Sequence, residues 1–212
     1  MPATENSRYE LYYWPATGRG EAIRLLLQYG KANWSERHPT NWPEEKPNTP
    51  FGCLPVLIEH REDGSEFQLA ESHSIERYLA RKFDLIGSNE REAALIDSFA
   101  EGWANLMNDM VQSHFGKTDE AKEAGKEQFK KSSSEIIQYH EKQLKKNGNG
   151  YYFGNKLSLV DILAYNTLQS LKGVGSKVFD EVSSFKKLIE NVESDSVIGS
   201  YAQERLSAYK PV

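Results

Sequence analysis

The segment Tyr9-Glu10-Leu11-Tyr12-Tyr13-Trp14 is short, aromatic and stopped by Pro15, which is the pattern of a strand. Past Pro15-Ala16-Thr17-Gly18-Arg19-Gly20, apolar positions recur at helical spacing through Ile23, Leu26 and Leu27. They predict a helix over residues 18–29, ended by Gly30. Residues 34–38 read as a second strand. The proline-rich stretch 39–50 breaks regular structure, with room for a short helix near residues 42–46. Residues 55–59 and 66–69 flank the turn Glu62-Asp63-Gly64-Ser65 and predict a hairpin. Ile75, Tyr78, Leu79 and Phe83 then form a helical stripe over residues 72–83. A strand–helix–strand opening implies a parallel pair with a right-handed crossover, and the later hairpin makes the four-stranded sheet mixed.

The second half is helical throughout. Ser88 or Asn89 is placed to cap a helix that starts at Glu90. Its stripe runs through Ile96, Phe99, Trp103, Leu106, Met107, Met110 and Val111. Residues 120–146 predict a charged amphipathic helix with Phe129, Ile136, Ile137, Tyr139 and Leu144 inward, stopped by Asn147-Gly148-Asn149-Gly150. Ser158 and Asp161 resemble a capping box, with Leu157 and Ile162 as the staple of a buried axial helix. Residues 83–89 read as a linker. The predicted organisation is an α/β domain over residues 1–84 and an all-α domain over residues 90–212.

Composition narrows the function. With 212 residues and 38% apolar content, the chain has enough length for two real cores. A net charge of −5 and the lack of a long basic run argue against nucleic acid. No apolar run approaches a membrane span, and the first residues carry no basic-then-apolar leader pattern. One cysteine excludes an intrachain disulfide, so a reducing, cytoplasmic location is expected.

Two positions suggest anion chemistry. Tyr13 ends the first strand and faces a helix N-terminus, where free N–H groups and the helix dipole favour negative charge. A strand aromatic also has a plain packing role. Strand alternation makes Tyr12 a rival phenol on the opposite face. Ser72 stands where a helix cap is needed, and the helix start behind it is a second anion site.

Behind Tyr13 stand, in order, Phe51-Gly52-Cys53-Leu54-Pro55-Val56-Leu57 and Glu71-Ser72-His73-Ser74-Ile75-Glu76-Arg77-Tyr78-Leu79. Together they resemble the glutathione-binding half of the cytosolic glutathione transferases of the tyrosine type. Ala94-Leu95-Ile96-Asp97, with Glu101-Gly102, resembles the start of the helical domain in the alpha- and pi-type enzymes, so the resemblance runs from Tyr9 to about Leu206. It implies a thioredoxin-like first domain, glutathione as co-substrate, no metal, and a homodimer in which Phe51 is an apolar key. Filling its own core is the competing role for Phe51.

The resemblance also assigns roles. Tyr13 donates to the glutathione sulfur. Arg19 and Lys46 face the glutathione end of the cleft, Trp42 donates to the glycyl carboxylate, and Leu54 offers its backbone ahead of a cis Pro55. Cys53 adjoins that dipeptide as a quiet thiol. Glu71 and Ser72 take the γ-glutamyl end. Asn105 stands where the family places an aspartate that reaches the γ-glutamyl ammonium across the dimer. An apolar cleft for the second substrate is expected to use Trp14, Trp103, Met107, Met110 and Val111, with Tyr201 a further candidate. Plain helix core is the alternative for all of these residues. The expected activity is conjugation of glutathione to hydrophobic electrophiles, of the detoxification kind. A glutathione-dependent isomerase of the prostaglandin-synthase type, or a non-catalytic binding or lens-type structural protein, are the alternatives.

Overall fold

A computed structural model describes residues 7–208, which separate after Phe83 into two compact units. The first contains β1 (Arg8–Tyr12), α1 (Gly18–Tyr29), β2 (Asn33–Arg37), α2 (Trp42–Glu45) with a 3-10 turn over Lys46–Asn48, β3 (Val56–His60), β4 (Glu66–Ala70) and α3 (Ser72–Lys82). The sheet order is β2-β1-β3-β4, with β1 parallel to β2 and the other pairs antiparallel. This is the mixed, four-stranded α/β architecture expected. Period-2 alternation divides the strand side chains between two faces. Leu11 and Leu57 are fully buried, as are Leu25 and Leu26 of α1 and Ile75 and Leu79 of α3. Tyr12, Val56, Ile58 and Ala70 form a smaller apolar cluster that takes Trp42 and Leu54.

One polar cluster fixes α3. Glu59 of β3 is fully buried, receives Lys82 at 2.5 Å, and accepts from the Tyr78 hydroxyl. Lys82 also donates to the Tyr9 hydroxyl at 3.0 Å. A buried carboxylate that lost Lys82 would be left uncompensated, a change that typically costs ~3–5 kcal/mol.

The second unit contains α4 (Glu90–Phe115), α5 (Asp119–Glu135), a π turn (Ile136–His140), α6 (Glu141–Asn147), α7 (Leu159–Gly173), α8 (Ser183–Glu193) and α9 (Gly199–Arg205). Asn89 caps α4, accepting from Arg91 and Glu92 N–H. α7 is the buried axis, with Leu159 through Leu171 all buried, and its capping box is in place. Asp161 accepts from the N–H groups of Ser158 and Tyr152, each at 2.9 Å. Residues 84 and 85 of the expected linker dock on this start. Lys156 pairs with Asp84, and Leu159 N–H donates to the Leu85 carbonyl at 2.9 Å.

The helix expected over residues 120–146 departs from its predicted face at the π turn. Tyr139, expected inward, is exposed, and His140 is buried instead. A π turn adds a residue to the repeat and moves the inward stripe to Ile136, His140 and Leu144. Gly102 makes room for the imidazole, since a Cβ there would stand 2.5 Å from His140 Nε2.

Candidate functional site

Register brings the first unit's predicted residues to one end of its sheet. Tyr12 at the end of β1 pairs with Val56 at the start of β3, and Val56 pairs with Ala70 at the end of β4. Tyr13, Leu54-Pro55 and Glu71-Ser72 therefore leave the same edge. Alternation separates the two phenols. Tyr12 turns to the Val56–Ala70 cluster, whereas the Tyr13 hydroxyl lies over the start of α1.

Tyr13 stands one residue past β1, and its N–H still extends the ladder by donating to the Arg37 carbonyl at 3.0 Å. The α1 N-cap, Thr17, makes no side-chain capping bond. The phenol oxygen of Tyr13 instead accepts the Arg19 N–H, at 3.2 Å. Burial pushes the Tyr13 phenol above its usual pKa, against the opposing pull of the Arg19 N–H and of the Arg19 and Arg24 cations. The group thus stays protonated at neutral pH. With its oxygen already accepting at the helix start, its proton is available to an incoming anion.

Three residues that shape this position escape a sequence reading. Gly18 has φ +47°, and a Cβ on it would meet the Tyr13 hydroxyl at 3.0 Å. A Cβ on Gly20 would lie 2.2 Å from Tyr13 Cδ1. Arg24, almost wholly buried, donates to the Ala16 carbonyl at 2.8 Å and the Trp14 carbonyl at 3.1 Å, holding the loop behind the tyrosine. Its charge is balanced by Glu21 at 2.9 Å and Glu36 at 2.5 Å. The glycine spacing in Gly18-Arg19-Gly20 is the one signal that could have exposed the steric requirement.

Leu54-Pro55 is cis, as the resemblance implied. Cys53 is half-buried, and its Sγ–H faces Glu71 Oε1 at 3.9 Å. Burial and the Glu71 carboxylate push its thiol up, while Arg19 and Lys46 pull the other way. Cys53, Glu71, Arg19 and Lys46 thus share one electrostatic neighbourhood, and the raised pKa fits a quiet thiol. Lys46 lies alongside Gly52, its Cε 3.3 Å from where a Cβ would be. Trp42 packs edge-on against Tyr12 and Trp14, at centroid distances of 6.4 and 5.6 Å.

The helix start at Ser72 corrects the expected cap. Ser72 is the first helical residue of α3, and Glu71 occupies the cap position with φ +70°, in the region that favours glycine. Neither side chain caps the helix by a hydrogen bond. Ser72 is nearly buried, and the α3 N-terminus beside it is an anion-favouring position.

Asn105 lies exposed on α4 of the second unit. Of the residues expected around a second substrate, Trp14 is 39% exposed, Val111 is half-buried, and Met107 and Met110 are buried. Trp103 is a core residue rather than a cleft wall. It is fully buried, packs on Phe179, Phe185 and His140, and donates to the Tyr152 hydroxyl at 2.8 Å. Tyr201 is half-buried on α9. Among the described residues, no group of three or more His, Cys, Asp or Glu is placed to hold a metal ion, and no helix is long and apolar enough to cross a membrane.

Residues 104–205 match the family described as "Glutathione S-transferase, C-terminal domain". The chain is 33% identical over 207 residues to "Probable glutathione S-transferase 7" of Caenorhabditis elegans, covering 93% of this chain and 96% of that protein. A solved Nu-class glutathione S-transferase from Haemonchus contortus aligns with a TM-score of 0.77 at 29% identity, over 94% of this chain and 97% of its own. The prostaglandin synthase D of Nilaparvata lugens aligns with a TM-score of 0.79 at 27% identity, over 97% of this chain and 99% of its own.

Proposed function

This chain belongs to the cytosolic glutathione transferase family, and we propose that Tyr13 is the group that activates the glutathione thiol in it. The enzyme conjugates glutathione to hydrophobic electrophiles. A free thiol of this kind has a pKa of about 8.5, and lowering it by about two units requires about 2.7 kcal/mol of preferential thiolate stabilisation. A hydrogen bond to a charged partner supplies about 1.5–3 kcal/mol, and the α1 dipole adds to it. The observation that carries the reading is the Tyr13 hydroxyl, protonated and accepting the Arg19 N–H at the start of α1. The thiol proton leaves to solvent. The thiolate attacks the electrophilic carbon, forming the C–S bond as the leaving group departs with its electron pair. Tyr13 donates throughout and forms no covalent intermediate.

Glutathione then spans the shared edge. Leu54, set by the Leu54-Pro55 bond, pairs its backbone with the cysteinyl part, and Cys53 lines that stretch. Trp42, Lys46 and Arg19 hold the glycyl end. Ser72, the α3 N-terminus and Glu71 take the γ-glutamyl end, with Asn105 contributing from a second copy. Trp14 and Val111, which keep exposed surface, are the residues proposed for contact with the second substrate, with Met107 and Met110 buried in their own unit. A homodimer keyed by Phe51, a cytosolic location and a detoxification role complete the proposal.

A second reading, supported by the likeness to a prostaglandin synthase, keeps the same thiolate and releases an isomerised product without net conjugation. A non-catalytic role is disfavoured by the intact Tyr13, Arg19, Leu54-Pro55 and Glu71-Ser72 set. The decisive experiment is an assay of wild type and Tyr13→Phe with glutathione and an activated aryl halide. Turnover should fall by roughly 10–100-fold while glutathione affinity stays within about threefold. Thiolate absorbance of the glutathione complex should titrate at higher pH in the variant. An unchanged titration would remove Tyr13 as the activating donor.

A further inference from the structure

Helix α2 has little apolar anchorage besides the partly buried Trp42, which packs on the Tyr12 cluster. It is a single turn of four residues with no buried residue of its own, too short to be stable in isolation. Yet it carries Trp42, and the 3-10 turn that follows carries Lys46.

Glu45 closes this turn and ties it down. Its Oε1 accepts the Asn41 N–H at 2.8 Å, the Thr40 hydroxyl at 2.9 Å and the Thr40 N–H at 3.0 Å. Its Oε2 accepts the hydroxyl of Tyr12. Tyr12 is itself anchored. It is buried on β1, packed in the cluster of Val56, Ile58 and Ala70, and covered by the Arg37 guanidinium 3.7 Å from its ring centroid. That guanidinium is held in turn by Glu10 at 2.8 Å.

We propose that Tyr12 is a positioning residue for glutathione: its hydrogen bond to Glu45 docks the turn carrying Trp42 and Lys46 onto the sheet, and so sets glutathione affinity. The two adjacent phenols divide the work, Tyr13 acting on the sulfur and Tyr12 on the binding turn. The inference rests on the reading that Trp42 and Lys46 contact glutathione.

Tyr12→Phe removes one hydroxyl and keeps the ring in its cluster. Steady-state kinetics with a saturating aryl halide should show KM for glutathione raised about tenfold, the scale of one hydrogen bond to a charged acceptor, with kcat within about twofold. Glu45→Gln should raise KM in the same direction. The double variant should be no worse than the poorer single, because both remove one interaction. Trp42→Ala and Lys46→Ala serve as references. If these raise KM and Tyr12→Phe does not, the tether is wrong and the binding turn stands. If none of the four single variants moves KM, both the tether and the placement of glutathione against this turn are wrong. A fall in kcat at unchanged KM in Tyr12→Phe, or simple additivity in the double variant, also overturns the proposal.

Discussion

A methyl group at position 20 would lie 2.2 Å from Cδ1 of Tyr13, so the side chain absent from Gly20 is part of the site. Alanine there raises intrinsic helix propensity by about 0.5–1 kcal/mol, and any loss of activity in Gly20→Ala cannot come from a weaker helix. The ring must shift instead, carrying the hydroxyl off the Arg19 N–H. Turnover should fall by roughly 10–100-fold, approaching that of Tyr13→Phe, while overpacking lowers stability by about 1–3 kcal/mol and leaves the protein folded at the assay temperature. A fully active Gly20→Ala would show that the phenol tolerates displacement. At this scale the sequence reveals residue types better than partners. Tyr13 is legible because strand, loop and helix meet there. Tyr12 alternates to the other face as expected, but its bond to Glu45 spans 33 positions and leaves no local periodic trace. The support given by Arg24 is hidden for the same reason, and its place among the apolar residues of α1 marks it only as a charge on a buried face.

Elements were more legible than contacts. The sequence pattern located α1, α3, α4, α7 and the four strands, although only α3 and α4 bury a single stripe; α7 is buried all round and β2 buries no residue. It failed at the π turn, where the pitch itself changes and Tyr139 exchanges places with His140. That exchange has a consequence for acid stability. Trp103 Nε1–H donates to the Tyr152 oxygen at 2.8 Å, and the same hydroxyl shares a hydrogen bond with His140 Nδ1 at 2.9 Å. Burial holds the His140 pKa down to about 4, so the imidazole is neutral at pH 7. The unfolded chain titrates this group near 6.5, so between about pH 6.5 and pH 4 it binds more protons unfolded than folded. The His140 contribution is complete above that window and is lost as pH falls through it, by about 3 kcal/mol. Denaturant unfolding of wild type and His140→Gln at pH 7 and pH 4.5 isolates it, since other titrating groups such as Asp161 cancel in the difference. The variant should be less stable than wild type at pH 7 and should lose distinctly less stability on acidification. Equal pH slopes would mean that the imidazole is not held neutral.

At the scale of the whole molecule, exposure distinguishes the two roles considered for Phe51. It is 70% exposed, which rules out filling its own core and leaves a large apolar side chain for a partner to cover. On the proposed homodimer a second copy of the chain is the occupant, because two-fold pairing covers both side chains at once. Burying each phenylalanine is worth about 1.5–3 kcal/mol, so removing the pair should raise the dimer dissociation constant by roughly two orders of magnitude or more. Sedimentation velocity at micromolar concentration should find wild type dimeric and Phe51→Ser shifted toward monomer. Glutathione binding adds an independent reading of the same assembly. Asn105 is exposed on α4, and if it completes the site of a second copy, Phe51→Ser should bind glutathione more weakly when dilute and recover as concentration restores the dimer. A Phe51→Ser protein as dimeric as wild type removes the key, and a monomeric wild type removes the dimer. A dissociated mutant that binds glutathione with undiminished affinity would instead keep Phe51 as the key of the wild-type dimer and place the whole glutathione site within one chain.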